Sequence, residues 1–214
     1  ALTAVCETPI ILEKRDLLTQ TESSLQETQT LYAITEDLVK AQSLSDIMMT
    51  LYRHVGQNTR NVTISEYEYQ PDGTLEGIYM RHAVKDGAPI DLNKPWSDNF
   101  STEDAARALA YTQEIGDQLE VIPDFDEQVK QYPVFAALRD QGIGSSITVP
   151  LYQDDKRTHQ ITLSWARPYA FDDTLPKILE NVRSQISLVL RNQALLSTSR
   201  SSVQQSEQIG RAHV

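Results

Sequence analysis

Two stretches of the chain alternate apolar and polar residues with period two, and three others repeat at helical or seven-residue spacing. In 143–166, Ile143, Ile147, Val149 and Leu151 share one face while Thr148 and Pro150 share the other. After Gln153-Asp154-Asp155-Lys156, Ile161, Leu163 and Trp165 alternate with Thr162, Ser164 and Ala166. That pattern predicts two half-buried antiparallel strands joined by a polar turn. A second pair is predicted at 61–84, where Pro71-Asp72-Gly73 separates two β-rich runs.

Helical spacing marks the ends of the chain. Residues 11–42 hold no Pro or Gly and predict a long helix, with Ile11, Leu18, Leu25 and Tyr32 seven residues apart. The positions three further on, Lys14, Thr21 and Thr28, are polar, so this seam is narrow. Ser43 begins a capping pattern with Asp46, and Leu44, Ile47, Met48, Leu51 and Val55 then fall on one helical face. From Leu175 to Ile209 another long helix is predicted, with Pro176 in its first turn. Val182, Val189, Leu196 and Val203 keep a seven-residue spacing there; Leu179 and Ile186 join them, whereas Gln193 and Arg200 are polar.

The middle of the chain is less regular. Residues 85–100, with Gly87, Pro89 and Pro95, read as a loop. Ser101 caps a short helix, a strand is expected near Ala110–Ile115, and a loop leads to a short helix at 133–141 that Gly142 closes. One antiparallel sheet covered by the terminal helices satisfies these elements, an α+β arrangement.

Composition narrows the function. The 214 residues are 40% hydrophobic and 23% charged, enough for one domain with extensions. A net charge of -11 without a basic patch argues against nucleic-acid binding. The single cysteine, Cys6, permits neither an internal disulfide nor a cysteine metal cluster. No apolar run reaches the ~18–20 residues of a membrane span, and no secretory leader is evident, so a cytoplasmic location is expected, with room for an anchor elsewhere in a longer protein.

The ordered set Gly142, Ser145 or Ser146, Val149-Pro150-Leu151, Arg167-Pro168, Phe171, Asn192 and Leu195 resembles the C-terminal half of a GAF domain. Val121-Ile122-Pro123-Asp124 and the helix Leu44–Val55 fit its first half, so the resemblance spans about residues 30–196. His159-Gln160-Ile161-Thr162-Leu163 departs from it by lacking the glycine with which the last strand usually begins. The resemblance implies an antiparallel sheet of about six strands, with the terminal helices on one face, extended into coiled coil, and a loop-covered pocket on the other. It divides the chain into an N-terminal signalling helix (1–30), a GAF domain (31–196) and a C-terminal helical extension (197–214).

It also implies a regulatory role. Members sense small molecules such as cyclic nucleotides, bilins, haem or amino acids, or act as dimerisation modules, and feed a histidine kinase, cyclase or transcriptional output domain in the same chain. The expected function is a non-catalytic sensing or dimerisation module; the alternatives are a purely structural dimeriser and an enzyme on the same fold. Pocket candidates are Trp96, Phe100, Tyr111, Phe125, Tyr132 and Phe135 in the roofing segments, with His82 on a strand. Candidates for a homodimer interface are Leu18, Leu25, Val182, Ile186, Val189 and Leu196.

No cofactor is assigned. Covalent bilin attachment needs a thiol, and the domain region holds none. The Asn-Lys and Asp-Glu of cyclic-nucleotide members are missing around Phe171. His54, His82, His159 and His213 lack the spacing of metal ligands. Methionine-sulfoxide chemistry on this fold uses cysteines that are not in the domain. The lead-in Gly142–Ser146 precedes a strand and has neither phosphate-loop nor nucleophile-elbow spacing, so its glycines serve the backbone. Asp124, Asp126 and Glu127 read as ordinary loop carboxylates, as do Asp154 and Asp155.

Overall fold

The computed structural model describes residues 9–56, 58–153, 156–169, 171 and 173–212, with the backbone alone for 9–13 and 196–212. Six strands form one sheet in the order β3-β2-β1-β6-β5-β4: β1 Asn61–Tyr69, β2 Leu75–Lys85, β3 Ala88–Pro95, β4 Glu120–Ile122, β5 Ser145–Gln153 and β6 Lys156–Trp165. Every neighbouring pair is antiparallel.

The β1–β2 hairpin turns at Pro71-Asp72-Gly73. Asp72 accepts from the Thr74 amide, and Gly73 adopts φ 87°, which glycine tolerates without strain. The next turn corrects the loop expected over 85–100. Asp86 and Gly87 both have positive φ, 52° and 77°. That is the geometry of a two-residue hairpin, and it sends the chain straight back as β3. β3 lies at the sheet edge, mostly exposed, where Pro89 and Lys94 discourage pairing with another strand.

Strand alternation divides the sheet into an apolar and a polar face. Val62, Ile64, Ile147, Val149, Leu151, Ile161 and Leu163 are all buried on the apolar face. Three helices cover it: α1 (Pro9–Lys40) with Ile34 and Leu38, α2 (Leu44–His54) with Ile47, Met48 and Leu51, and α6 (Thr174–Ala212) with Ile178, Leu179, Val182 and Ile186. Each such side chain contributes roughly 1.5–3 kcal/mol of transfer free energy, so this layer dominates the stability of the domain.

The helix starts follow their sequence signals. Ser43 Oγ accepts from the Asp46 amide at 3.1 Å, and Asp46 accepts from the Gln42 amide at 2.9 Å, which holds its carboxyl below the usual range. Asp37 of α1 accepts from Arg53 Nη1 at 2.7 Å and sits 3.0 Å from His54 Nε2, tying α1 to α2.

The interface candidates on the terminal helices differ in exposure. Val182 and Ile186 are buried against the chain's own sheet, and Val189 is half-buried beside them. Leu18 and Leu25 are exposed, and Lys14–Gln26 is exposed throughout. The side chain of Leu196 and the Asp154-Asp155 turn lie outside the described residues.

The polar face is roofed by α3 (Thr102–Glu114), α4 (Phe125–Gln131), α5 (Ala136–Asp140) and the 3-10 turns Trp96–Asn99 and Pro133–Phe135. The strand expected near Ala110–Ile115 does not form. Helix α3 continues to Glu114 because Ala108, Tyr111 and Thr112 stand at i, i+3 and i+4 and turn toward the sheet. Ile143 also departs from expectation: it precedes β5 and packs with the roof, not with Ile147.

Gly142 has φ 83° and ends α5, its amide bonded to the Arg139 carbonyl at 2.7 Å. Gly144 is needed for a different reason: a Cβ there would overlap the Arg167 backbone. Among the described residues no helix is long and apolar enough to cross a membrane.

Candidate functional site

The polar side of the sheet becomes the floor of a cavity of about 130 Å³. The residues opposite the apolar ones supply it: Thr63 and Ser65 from β1, Ser146 and Thr148 from β5, Gln160, Thr162 and Ser164 from β6. A strand that puts Ile147 and Val149 against helices must put Ser146 and Thr148 on the other side. The roof supplies aromatic and apolar walls through Trp96, Tyr111, Phe125, Phe135, Leu138 and Ile143.

Two irregularities decide which charged groups face this space. The pairing of β5 with β6 shifts between Leu151 and Tyr152, so that Leu151 opposes His159 and Tyr152 opposes Arg157. A regular strand would aim Arg157 away from Gln160; the extra residue, Thr158, reverses it, and both line the cavity. The second shift lies between β1 and β2, where Ile64 opposes His82 and Ser65 opposes Met80. Met80 therefore lines the cavity, whereas His82 shares the face of Ile64 and meets Asp91 at 2.5 Å.

The aromatic candidates separate likewise. Trp96, Tyr111, Phe125 and Phe135 line the cavity. Phe100 stands behind Trp96, ring centroids 4.6 Å apart. Tyr132 packs edge-on to Tyr111 at 4.7 Å and borders a shallower depression on the outside of the roof.

Arg157 is buried, with its guanidinium 4.9 Å from the centre of the Tyr67 ring. Its Nη1 donates to the Thr112 carbonyl at 3.0 Å and its Nη2 to Gln160 Oε1 at 2.8 Å. The same Gln160 oxygen accepts from the Tyr67 hydroxyl at 2.7 Å. Burial pushes the Tyr67 phenol well above its ordinary range and keeps it a donor. Nε of Arg157 has no acceptor, and no carboxylate among the described residues pairs with the guanidinium. Asn61 Oδ1, on the same cavity wall, is buried without a donor.

Glu120, at the start of β4, supplies the other ionisable group. Its carboxylate accepts from the Tyr111 hydroxyl at 2.5 Å, and that hydroxyl accepts from Gln128 Nε2 at 3.1 Å. Burial raises the Glu120 pKa against the opposing pull of Tyr111 and Arg157. Among the described residues no cluster of histidine, cysteine and carboxylate groups could hold a metal ion.

Arg157, Asn61, Gln160 and Glu120 were missed in the sequence. Arg157 sits in a polar hairpin where it reads as surface charge, and only the bulge turns it inward.

No family profile matches the chain, and no curated protein matches it. Solved structures do. The GAF domain of a two-component sensor histidine kinase from Bacillus halodurans superposes with a TM-score of 0.51 at 17% identity, covering 73% of this chain and 99% of that one. The phycoerythrobilin-bound GAF domain of a cyanobacterial phytochrome gives 0.56 at 16% identity, covering 81% and 99%. The photosensory core module of a Stigmatella aurantiaca phytochrome gives 0.58 at 14% identity, covering 79% of this chain and 37% of that one. Six antiparallel strands, terminal helices on one face and a roofed polar cavity on the other give this chain the fold of the GAF domains.

Proposed function

We propose that the chain is a regulatory domain of a signal-transduction protein that binds a small molecule between sheet and roof and passes its occupancy to the terminal helices. One observation carries this reading: the same strands contact both compartments. Ser146 and Thr148 face the cavity while Ile147 and Val149 pack in the core shared with α1 and α6, so a shift of β5 under a ligand reaches the helices across a single backbone. The domain proper is 31–196, and the role is binding without catalysis.

The bilins named for some structural neighbours do not fit here. Tetrapyrroles need far more room than about 130 Å³, and residues 31–196 contain no cysteine for covalent attachment. No step of the proposed function uses such a group.

The terminal helices would carry the signal in a pair. Leu18, Leu25, Tyr32 and Val39 of α1 stand seven residues apart and are all exposed. Leu188 and Leu195 of α6 repeat the spacing, also exposed. A lone exposed helical segment such as Lys14–Gln26 is marginal in water, and pairing with a second copy would bury this stripe. The output domain, a kinase or cyclase, would lie in the same full-length protein. A dimeriser without ligand is the second reading, favoured by the stripe alone. Thermal denaturation against a library of small polar molecules tests the first: at least one should raise the melting temperature, and a silent library leaves only the dimeriser.

A further inference from the structure

The chemistry of the cavity narrows what it binds, and this step rests on the sensing role proposed above. Its volume of about 130 Å³ is close to the ~150 Å³ of an apolar cavity that holds benzene, so the occupant is the size of about one six-membered ring. The walls are not those of a benzene site. Arg157 is a buried cation whose charge meets no carboxylate within pairing distance among the described residues.

Arg157 is also fixed in place. Tyr67 lies against its guanidinium, and the Thr112 carbonyl and Gln160 hold its two Nη atoms. These partners are neutral, so they orient the charge, and Glu120 on the same cavity wall attracts it without pairing with it. Its buried Nε remains without an acceptor. A buried guanidinium in that condition is costly unless an anion completes it.

One acceptor stands across the wall, the Glu120 carboxylate; Asn61, opposite Ser164 and so four residues along β6 from Gln160, lies ~13 Å further along the sheet. Burial weakens the tendency of Glu120 to carry charge, which lessens its repulsion of an anion. The occupant therefore needs acceptor oxygens at one end and a donor at the other.

We infer that the cavity takes a small hydroxycarboxylate, its carboxylate seated on Arg157 and its hydroxyl directed to Glu120. The carboxylate–guanidinium contact provides most of the selectivity, because a neutral isostere leaves the buried charge uncompensated.

Thermal denaturation at matched ionic strength tests this with four probes: L-lactate, propionate, L-lactamide and phenol. L-Lactate should raise the melting temperature by about 5–10 °C at a hundred times its Kd, propionate by less, and L-lactamide not at all. Arg157→Met should lose the lactate shift. L-Lactamide or phenol stabilising as well as lactate would overturn the carboxylate inference and leave small-molecule sensing standing. Silence of all four would overturn the carboxylate inference and leave small-molecule sensing to the library screen. A lactate shift that survives in Arg157→Met removes Arg157 from the site; if that variant does not fold, the lactate–lactamide comparison on the unaltered protein still decides.

Discussion

Arg157 and Gln160 are three residues apart on one strand, yet Arg157 Nη2 donates to Gln160 Oε1 at 2.8 Å inside the same cavity. Regular β-geometry forbids this, since an odd separation places side chains on opposite faces. The bulge at Thr158 makes it possible. Gln160→Leu would leave the Arg157 Nη2 and the Tyr67 hydroxyl, both buried, without their acceptor. Each orphaned donor costs about 1–3 kcal/mol, so urea denaturation should show a loss of about 2–6 kcal/mol with an unchanged m-value.

Gly144 and Arg167 approach so closely that no side chain fits between them. Gly144 also receives the Phe125 amide on its carbonyl and donates to the Trp165 carbonyl at 2.8 Å, so it joins roof and sheet. Gly144→Ala should cost about 2–3 kcal/mol in chemical denaturation, the upper end for overpacking, because the obstacle is backbone. Substitution at Gly116, where a Cβ meets open space but φ is 67°, should cost less.

His159 is half-buried beside Glu66 and Arg81, its Nδ1 buried and unpartnered, and desolvation lowers its pKa. The unfolded chain therefore binds a proton at higher pH than the folded one. Stability should be complete above the unfolded value of ~6.5 and should fall as pH drops from there through the lower folded value. Glu120 has the opposite sign. Its raised pKa makes the fold more stable below the unfolded carboxylate value, with that increment lost as pH rises through the folded one. Melting temperatures from pH 4 to 8 should thus flatten near pH 6 in His159→Gln. Glu120→Gln, which keeps an oxygen acceptor for Tyr111, should be more stable than the unaltered protein at neutral pH.

The terminal helices separate two kinds of leucine and valine. Ile186→Ala removes a buried side chain and should cost about 2–5 kcal/mol in stability. Leu18→Glu with Leu25→Glu changes only exposed positions, so melting of the domain should move little while sedimentation equilibrium shifts from dimer toward monomer. Equal association of both proteins would remove the α1 stripe from the interface.

The sheet was legible where turn chemistry and alternation agreed. Pro71-Asp72-Gly73 and the 143–166 alternation placed four strands, and the capping residues Ser43 and Ser101 marked two helix starts. A third signal was present and unread: Asp86-Gly87 is a strong two-residue hairpin dipeptide, hidden beside Pro89 and Pro95. The Ala110–Ile115 error came from β-branched and aromatic residues whose helical spacing carries meaning only once the sheet beneath α3 is known.

The site was half legible. Aromatic residues in the roofing segments could be picked out by type, and Trp96, Tyr111, Phe125 and Phe135 do line the cavity. Its polar content could not. Arg157 enters and His82 leaves through one-residue shifts in strand pairing, and no local sequence pattern announces such a shift.

The central claim is that cavity occupancy is felt by the helices across the sheet. Amide hydrogen exchange with and without saturating L-lactate, or whichever of propionate, L-lactamide and phenol stabilises the protein, tests it most directly. The account predicts slowed exchange in the roof, residues 102–143, together with altered exchange in α6 over residues 174–195 on the opposite side of β5. Protection confined to the roof, with α1 and α6 exchanging at the same rates in both states, would contradict it.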